Sequence, residues 1–276
     1  MKRKNRMNKL LIIFLFVSLA IVLIPIFWAI VIAFDRSVTT EIPNPPRFWP
    51  LTLSLFNFKY AFTALPLLRY FLNTLFVTIS NTSISVFFAM TCGYAFSKGN
   101  FMFKKTLFLV MIAVMMIPFE ARMIPLFMQF KNWKMLNTYW PLILGGFAYS
   151  YGMFLAKQSI DEIPESLRES AFIDGANEWR VFFQIILPLS KPIIATLFIL
   201  QSIVNWNNFL WPLIVIGKRD MQLLAVGISL FNTSDAARYV GPVMAVAIMA
   251  ALPILIVFFI FQRQIVESMA FVGIKQ

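Results

Sequence analysis

Carboxylates crowd one short stretch of this chain: Asp161, Glu162, Glu165, Glu169, Asp174 and Glu178, with Arg168 and Arg180 among them. Grouped carboxylates can hold a metal ion and so serve a transferase-type reaction. Their spacing argues otherwise. Asp161, Glu165 and Glu169 step by four, so on a helix they form a solvated row and do not converge on a point. The chain has no histidine, which removes the commonest acid–base group and metal ligand. Its one cysteine, Cys92, lies within an apolar run, where a small packed side chain is expected and no intrachain disulfide can form. No G-x-x-x-x-G-K-[ST] sequence is present to cradle nucleotide phosphates. The expectation is a chain with no catalytic residues, no metal site and no cofactor.

Other polar groups stand inside apolar runs. Glu120 and Arg122 lie beside Pro118 and Pro125, two residues apart, so on a helix they do not face each other. They either line a wet cavity or sit at the membrane interface, where charge is cheaper. Asn205, Asn207 and Asn208 flank Trp206 and precede Trp211. Buried amides need partners. They either bond neighbouring helices or line a path for a hydroxylated solute, which needs donors, acceptors and a flat apolar face. Asn205 and Asn208 are spaced to share one helical side, with Asn207 elsewhere. The pathway candidates are Asn205, Asn208, Trp206 and Glu120. Asn73 and Asn81 read as bundle packing.

The elements that must position these groups are membrane spans. The chain of 276 residues is 60% hydrophobic and 13% charged, far from the roughly half apolar and quarter charged of soluble domains. A net charge of +12 raises nucleic acid as a partner. The basic residues, however, lie between apolar runs without forming a face, as retention on the cytoplasmic side of a membrane produces. About 20 residues cross the hydrocarbon, and six runs qualify: Leu10 to Phe34, Tyr70 to Phe96, Thr106 to Phe130 broken late by Pro118 and Pro125, Tyr139 to Ala156, Leu189 to Ile216 broken by Pro212, and Gly241 to Phe261. The first is too long for a signal-peptide core and lacks a small-x-small site. Lys2, Arg3, Lys4, Arg6 and Lys9 before it hold the N-terminus in the cytoplasm, and an even number of crossings returns the C-terminus there. Pro43, Pro45, Pro46, Pro50 and Pro66 make 35–69 an irregular outer loop. Gly217 to Tyr239 is placed outside as well.

Between the fourth and fifth spans runs KQSIDEIPESLRESAFIDGANEWRVFFQIILPLSKP, from Lys157 to Pro192. Ile160, Ile163, Leu167 and Ala171 make the apolar stripe of one helix. Pro164 suits a first turn, with acidic residues on the favourable side of the helix dipole. Asp174-Gly175 ends the helix in a turn that glycine permits, and Asn177 is placed to cap a second one. Glu169-Ser170-Ala171, three residues, Gly175, nine residues, then Ile185-Ile186-Leu187-Pro188 resembles the E-A-A-x3-G-x9-I-x-L-P loop of the integral-membrane permeases of binding-protein-dependent ABC importers. Ser170 replaces the first alanine. Asn205-Trp206-Asn207-Asn208-Phe209-Leu210-Trp211-Pro212-Leu213, Met116-Ile117-Pro118, Ile124-Pro125-Leu126 and the ending Phe261-Gln262-Arg263 with Gly273-Ile274-Lys275 resemble runs of the sugar-importing branch, in its smaller, maltose-type permease.

The resemblance implies an all-α membrane protein of six transmembrane helices with the type I importer (MetI-like) permease fold and a cytoplasmic coupling helix. The implied segments are a basic cytoplasmic tail at 1–9, the first transmembrane helix and outer loop at 10–69, the transmembrane domain at 70–262 with its coupling loop at 157–188, and a cytoplasmic tail at 263–276. Leu167, Glu169, Ser170, Ala171, Phe172, Asp174, Gly175, Leu187 and Pro188 would couple to the ATPase, the Leu167 to Phe172 face docking on it. The implied partners are a second permease, separate ABC ATPase subunits, an extracytoplasmic solute-binding protein, a sugar and membrane lipid, with no nucleic acid. Competing readings are a polytopic membrane enzyme using the loop carboxylates, a channel or proton-coupled carrier, and a permease for amino acids or phosphate esters. A channel or carrier calls for ionisable residues in several spans, and only Glu120 and Arg122 qualify.

Overall fold

The computed structural model describes residues 2–38, 43–233 and 240–273, with side chains for 11–38, 43–229 and 240–261. The basic side chains at 2–9, the part of the outer loop at 39–42, the stretch 234–239 and the side chains of the C-terminal ending lie outside it. The regular elements among the described residues are helices: α1 Lys2–Phe34, α2 Phe56–Ala64, α3 Leu67–Lys98, α4 Lys104–Met115, α5 Phe119–Asn132, α6 Trp140–Leu144, α7 Ser150–Asp161, α8 Glu165–Ile173 and α9 Glu178–Val181. A π-helical turn, Phe182–Ile186, joins α9 to α10 Leu187–Leu189. Then come α11 Lys191–Trp206, α12 Leu210–Val215, α13 Leu224–Thr233 and α14 Val240–Gly273. Two compact units result, Met1–Leu68 with Gly227–Pro253, and Arg69–Val226 with Ile254–Gln276.

Among the described residues three helices are long and apolar enough to cross a membrane: Leu11–Phe34, Leu67–Lys98 and Val240–Phe261. Two bent pairs pass the same test together, α4 with α5 at 102° and Glu178–Leu189 with α11 at 78°. The third run is therefore not one straight crossing. Pro118 cannot continue a helix from behind, and α4 alone spans only about 18 Å. The fourth run is also split, into α6 and α7, and α7 continues past Ala156 to Asp161. The fifth breaks at Asn207–Phe209 and not at Pro212. Pro212 falls in the first turn of α12, where its missing N–H costs nothing. The Asn207 side-chain amide donates back to the Ile203 carbonyl (2.8 Å), satisfying the end of α11.

In the first unit, the chain leaving α1 is closed by Asp35. Its carboxylate accepts from the backbone N–H and hydroxyl of Ser37, the Leu51 N–H, and the N–H and hydroxyl of Thr52. The Asn57 amide donates to the carbonyls of Ile32, Ala33 and Asp35 where the chain leaves α1. Burial pushes the Asp35 carboxyl up, but the bonds from Leu51, Ser37 and Thr52 outweigh it and hold it below its ordinary value. The described part of 35–69 is thus folded, and it contains a helix, α2, that its proline content conceals.

In the second unit, α3 is the common neighbour of two apolar clusters. One joins Val77 to Met123, Phe130, Leu142, Trp211, Val215, Ile216 and Leu223. The other joins Val86, Ala89 and Met90 to Ala156, Ile160, Val181, Phe182, Ile186 and Leu197. Between them Asn81 knits three elements together. Its amide donates to the carbonyls of Leu142 (3.0 Å) and Ile143 (2.8 Å), and its oxygen accepts from Ser85, Gln201 and Asn205.

Candidate functional site

The stretch at 157–188 is three short helices bedded on α3. The expected single stripe is interrupted. α7 ends at Asp161 and α8 starts at Glu165, with Pro164 as its N-cap. Ile160 is fully buried, and Ile163 and Ala171 pack against the same cluster, but Leu167 stays 43% exposed. The turn at Pro164 shifts the helical phase, so the spacing of the stripe no longer predicts one face. The row of Asp161, Glu165 and Glu169 is broken for the same reason, since Asp161 belongs to α7 and the other two to α8.

α8 ends as its sequence dictates. The Gly175 N–H donates to the Phe172 carbonyl (3.0 Å) and the Ala176 N–H to the Ala171 carbonyl (2.9 Å). These paired bonds require a left-handed residue at Gly175, whose φ is +80°. Asn177 then caps α9, its side-chain oxygen accepting from the Arg180 N–H at 2.9 Å. Ala171 and Ala176 face the cluster together, so the turn is anchored on its inner side. Val181, Phe182 and Ile186 are buried beyond it, each worth roughly 1.5–3 kcal/mol on removal from water.

The other side of the loop is open. Leu167, Phe172, Ile173, Trp179 and Phe183 are exposed, Ile173 to 86% and Trp179 to 61%. Glu169, Ser170, Asp174, Gly175 and Pro188 are exposed with them, the Ser170 hydroxyl donating to the Ser166 carbonyl, while Leu187 packs inward. Ile173, Trp179 and Phe183 are additions that sequence reasoning missed. Phe183 directly follows the buried Phe182, and only the structure separates the two sides.

Several loop charges are paired. The Arg168 guanidinium bridges Glu165 on its own helix (2.6 Å) and Glu178 on α9 (2.5 Å), and lies 4.8 Å over the Phe172 ring. The Tyr94 hydroxyl donates to the other oxygen of Glu178. Lys98 reaches the Ile163 carbonyl (2.8 Å) and Glu165 (3.2 Å), and Ser97 donates to Asp161 (2.6 Å), which also pairs with Lys157. The bond from Arg168, with help from Lys98, holds the Glu165 carboxyl below its ordinary range. Burial raises Asp161, but Lys157 and Ser97 more than compensate, so it too lies low. Glu165 and Asp161 are therefore charged acceptors at neutral pH. Tyr94, Ser97 and Lys98 fall at i, i+3 and i+4 on α3, a signal that was present in the sequence.

The pathway candidates separate into two pairs. Asn205 is buried, its amide donating to Asn81 (2.7 Å) and Thr82 (3.1 Å) on α3. Trp206 is buried with its ring edge-on to Phe71. Asn208 is half-buried in the α11–α12 break, and Glu120 is exposed in the first turn of α5. Asn205 and Asn208 do not share a helical face, because α11 ends at Trp206 between them.

The family model described as "binding-protein-dependent transport system inner membrane component" matches residues 85–270. The chain belongs to this family. The permease is 36% identical over 229 residues to the arabinooligosaccharides transport system permease protein of Halalkalibacterium halodurans, covering 83% of this chain and 82% of the relative. It is 34% identical over 199 residues to the lactose transport system permease protein of Rhizobium radiobacter, covering 72% of each. It is 31% identical to the probable starch degradation products transport system permease protein of Thermoanaerobacterium thermosulfurigenes, covering 99% of this chain and all of the relative. The crystal structure of a bacterial ABC transporter involved in the import of alginate contains a chain of the same fold, with TM-score 0.83 over 95% of this permease and 98% of that chain at 20% identity. The permease is thus a multi-pass transport subunit of the inner membrane and not an enzyme.

Proposed function

We propose that this permease is one membrane subunit of an ATP-driven sugar importer and that 157–188 is its coupling loop. The carrying observation is the open apolar side of α8 and α9, where Leu167, Phe172, Ile173, Trp179 and Phe183 stand exposed on a frame held by Gly175 and Arg168. Exposed apolar area of this kind rimmed by charge marks a protein interface. With no nucleotide loop of its own, the permease takes its motor from separate ATPase subunits, and this side of the loop is where they dock. Glu169 meets a basic residue there. A second permease completes the translocation path, and a solute-binding protein delivers cargo from outside. The relatives named above carry arabinooligosaccharides, lactose and starch products, which supports a saccharide as cargo.

In this reading α4 with α5 counts as one crossing and α11 with α12 as another, and with the three long helices and 139–156 the total is six. The loop, the tail at 1–9 and the tail at 263–276 lie in the cytoplasm, and Pro43 to Pro66 lies outside. The first helix and outer loop occupy 10–69, and the transmembrane domain 70–262. Asn208 and Glu120 line the path, and Asn205 and Trp206 hold the wall behind them. Docking is tested with a thiol-anchored photocrosslinker on Ile173→Cys in a Cys92→Ser background of the full complex. The expected product joins permease to ATPase, while the same probe on Lys59→Cys in the outer loop gives none. An active complex in which Ile173→Cys never reaches the ATPase overturns the loop assignment.

A further inference from the structure

Apolar contact holds the loop against α3, but it is non-directional. It resists removal of the loop more than its rotation. A cavity of about 430 Å³ lies beside it, lined by Thr91, Tyr94, Phe101, Glu178, Trp179 and Phe182. α9 therefore has open space on one side, and packing alone does not fix its angle. At the cavity Tyr94 bonds Glu178, and next to it a set of directional bonds ties the rest of the loop to α3. Ser97 catches the end of α7 at Asp161, Lys98 catches the turn at Ile163 and the start of α8 at Glu165, and Tyr94 catches the start of α9 at Glu178. These residues occupy little more than one turn of α3, and each holds a different part of the loop.

Arg168 closes the set. It is the group on α8 that bonds a carboxylate of α9, and its side chain is only 19% exposed. A planar guanidinium holding two carboxylates fixes their geometry as a point charge does not. One further contact brings this end of α3 close against α7. A Cβ on Gly93 would lie 2.7 Å from the Ala156 Cβ and 2.9 Å from the Lys157 nitrogen, so α3 and α7 touch backbone to backbone where the catches begin.

We propose that Tyr94, Ser97, Lys98 and Arg168 are positioning residues, a clamp that sets the angle of α8 and α9 and makes the loop and α3 move as one body. This rests on the loop being the ATPase-docking element. The clamp acts after docking: it carries displacement of the docked loop into α3, whose Asn81 holds α6 and α11. A loop without the clamp still docks but swings into the cavity, and the membrane part is no longer driven by it.

The test uses the full purified complex in proteoliposomes, with ATP hydrolysis measured with and without the binding protein, and the Ile173→Cys cross-link measured in parallel. In the Tyr94→Phe/Lys98→Met variant the cross-link persists, while stimulation by the binding protein, per assembled complex, falls roughly tenfold, the scale on which loss of a bond to a charged group registers. Lys98→Arg retains stimulation. A residue that only stabilises the fold would lower the yield of complex and leave stimulation per complex unchanged. That result, with the cross-link intact, overturns the clamp and leaves docking standing. A missing cross-link in the otherwise unaltered permease overturns the docking assignment and the clamp with it. Should the double variant fail to assemble, Tyr94→Phe alone, which removes one hydroxyl, is read by the same two outcomes.

Discussion

Gly175 offers a perturbation whose size follows from the backbone alone. Its φ is +80°, and a Cβ built on it meets nothing within 4 Å. Steric conflict with neighbours is therefore absent, and any penalty is conformational. Placing an L-residue in the left-handed region costs roughly 1–2 kcal/mol. The alternative is for residue 175 to leave that region, which abandons the bonds to Phe172 and Ala171, together about 2 kcal/mol at the usual net value. The two costs are close. Alanine should strain but keep the turn. Valine, β-branched and least tolerant of positive φ, should open it. Asparagine, which enters the left-handed region more readily, should lie nearest to glycine. The expected order of binding-protein-stimulated hydrolysis and of uptake is Gly, Asn, Ala, Val. A shift of 1–2 kcal/mol changes the populations of intact and opened turn by roughly 5–30-fold. The assay is uptake and ATP consumption by reconstituted complexes, with co-purification of the ATPase as a control. A valine variant that transports normally refutes the reasoning. So does an asparagine variant as impaired as valine, because the penalty would then not be one of φ.

Two further outcomes are expected. Asn81→Leu removes the partner of Leu142, Ile143, Gln201 and Asn205 together, so it should lower the thermal stability of the purified permease more than Asn205→Leu, which costs about 1 kcal/mol as one interhelical amide; equal losses would remove Asn81 as the hub. In the Cys92→Ser background, a membrane-impermeant thiol reagent should reach Trp49→Cys from outside intact cells and Gly175→Cys only after permeabilisation; labelling of position 175 from outside would end the six-crossing topology.

What was legible in the sequence was local. The glycine turn at Gly175 and the cap at Asn177 rest on interactions within six residues, and residue type alone specifies them. The end of α1 at Phe34 follows from an apolar run in the same way, whereas its start at Lys2, inside the basic stretch, does not. The bend between α4 and α5 was only half legible. Pro118 announces a break, but the 102° angle depends on Phe119, Met123 and Phe130 meeting Leu142 and Trp211, residues from other elements. At the fifth span proline misled, because Pro212 is harmless in a first turn while Asn207, turning its amide onto Ile203, ends the helix before it. The stripe through Leu167 failed at Pro164, where the chain changes helix and phase.

The asparagines show why site residues in a membrane chain are harder to read than the loop. Asn205 carries the donors and acceptors that a sugar path requires, and no feature of its neighbours distinguishes that use from helix bonding. The deciding residues lie far away in sequence: Asn81 and Thr82 take its amide protons. A buried amide with both protons committed to α3 cannot release one to a passing solute without giving up an interhelical bond. Asn208, beyond the end of α11 and half-buried, carries no such commitment in its position. Asn208, at the helix break, is therefore the better candidate for contact with cargo, and Asn205, one residue before the end of α11, holds that helix to α3.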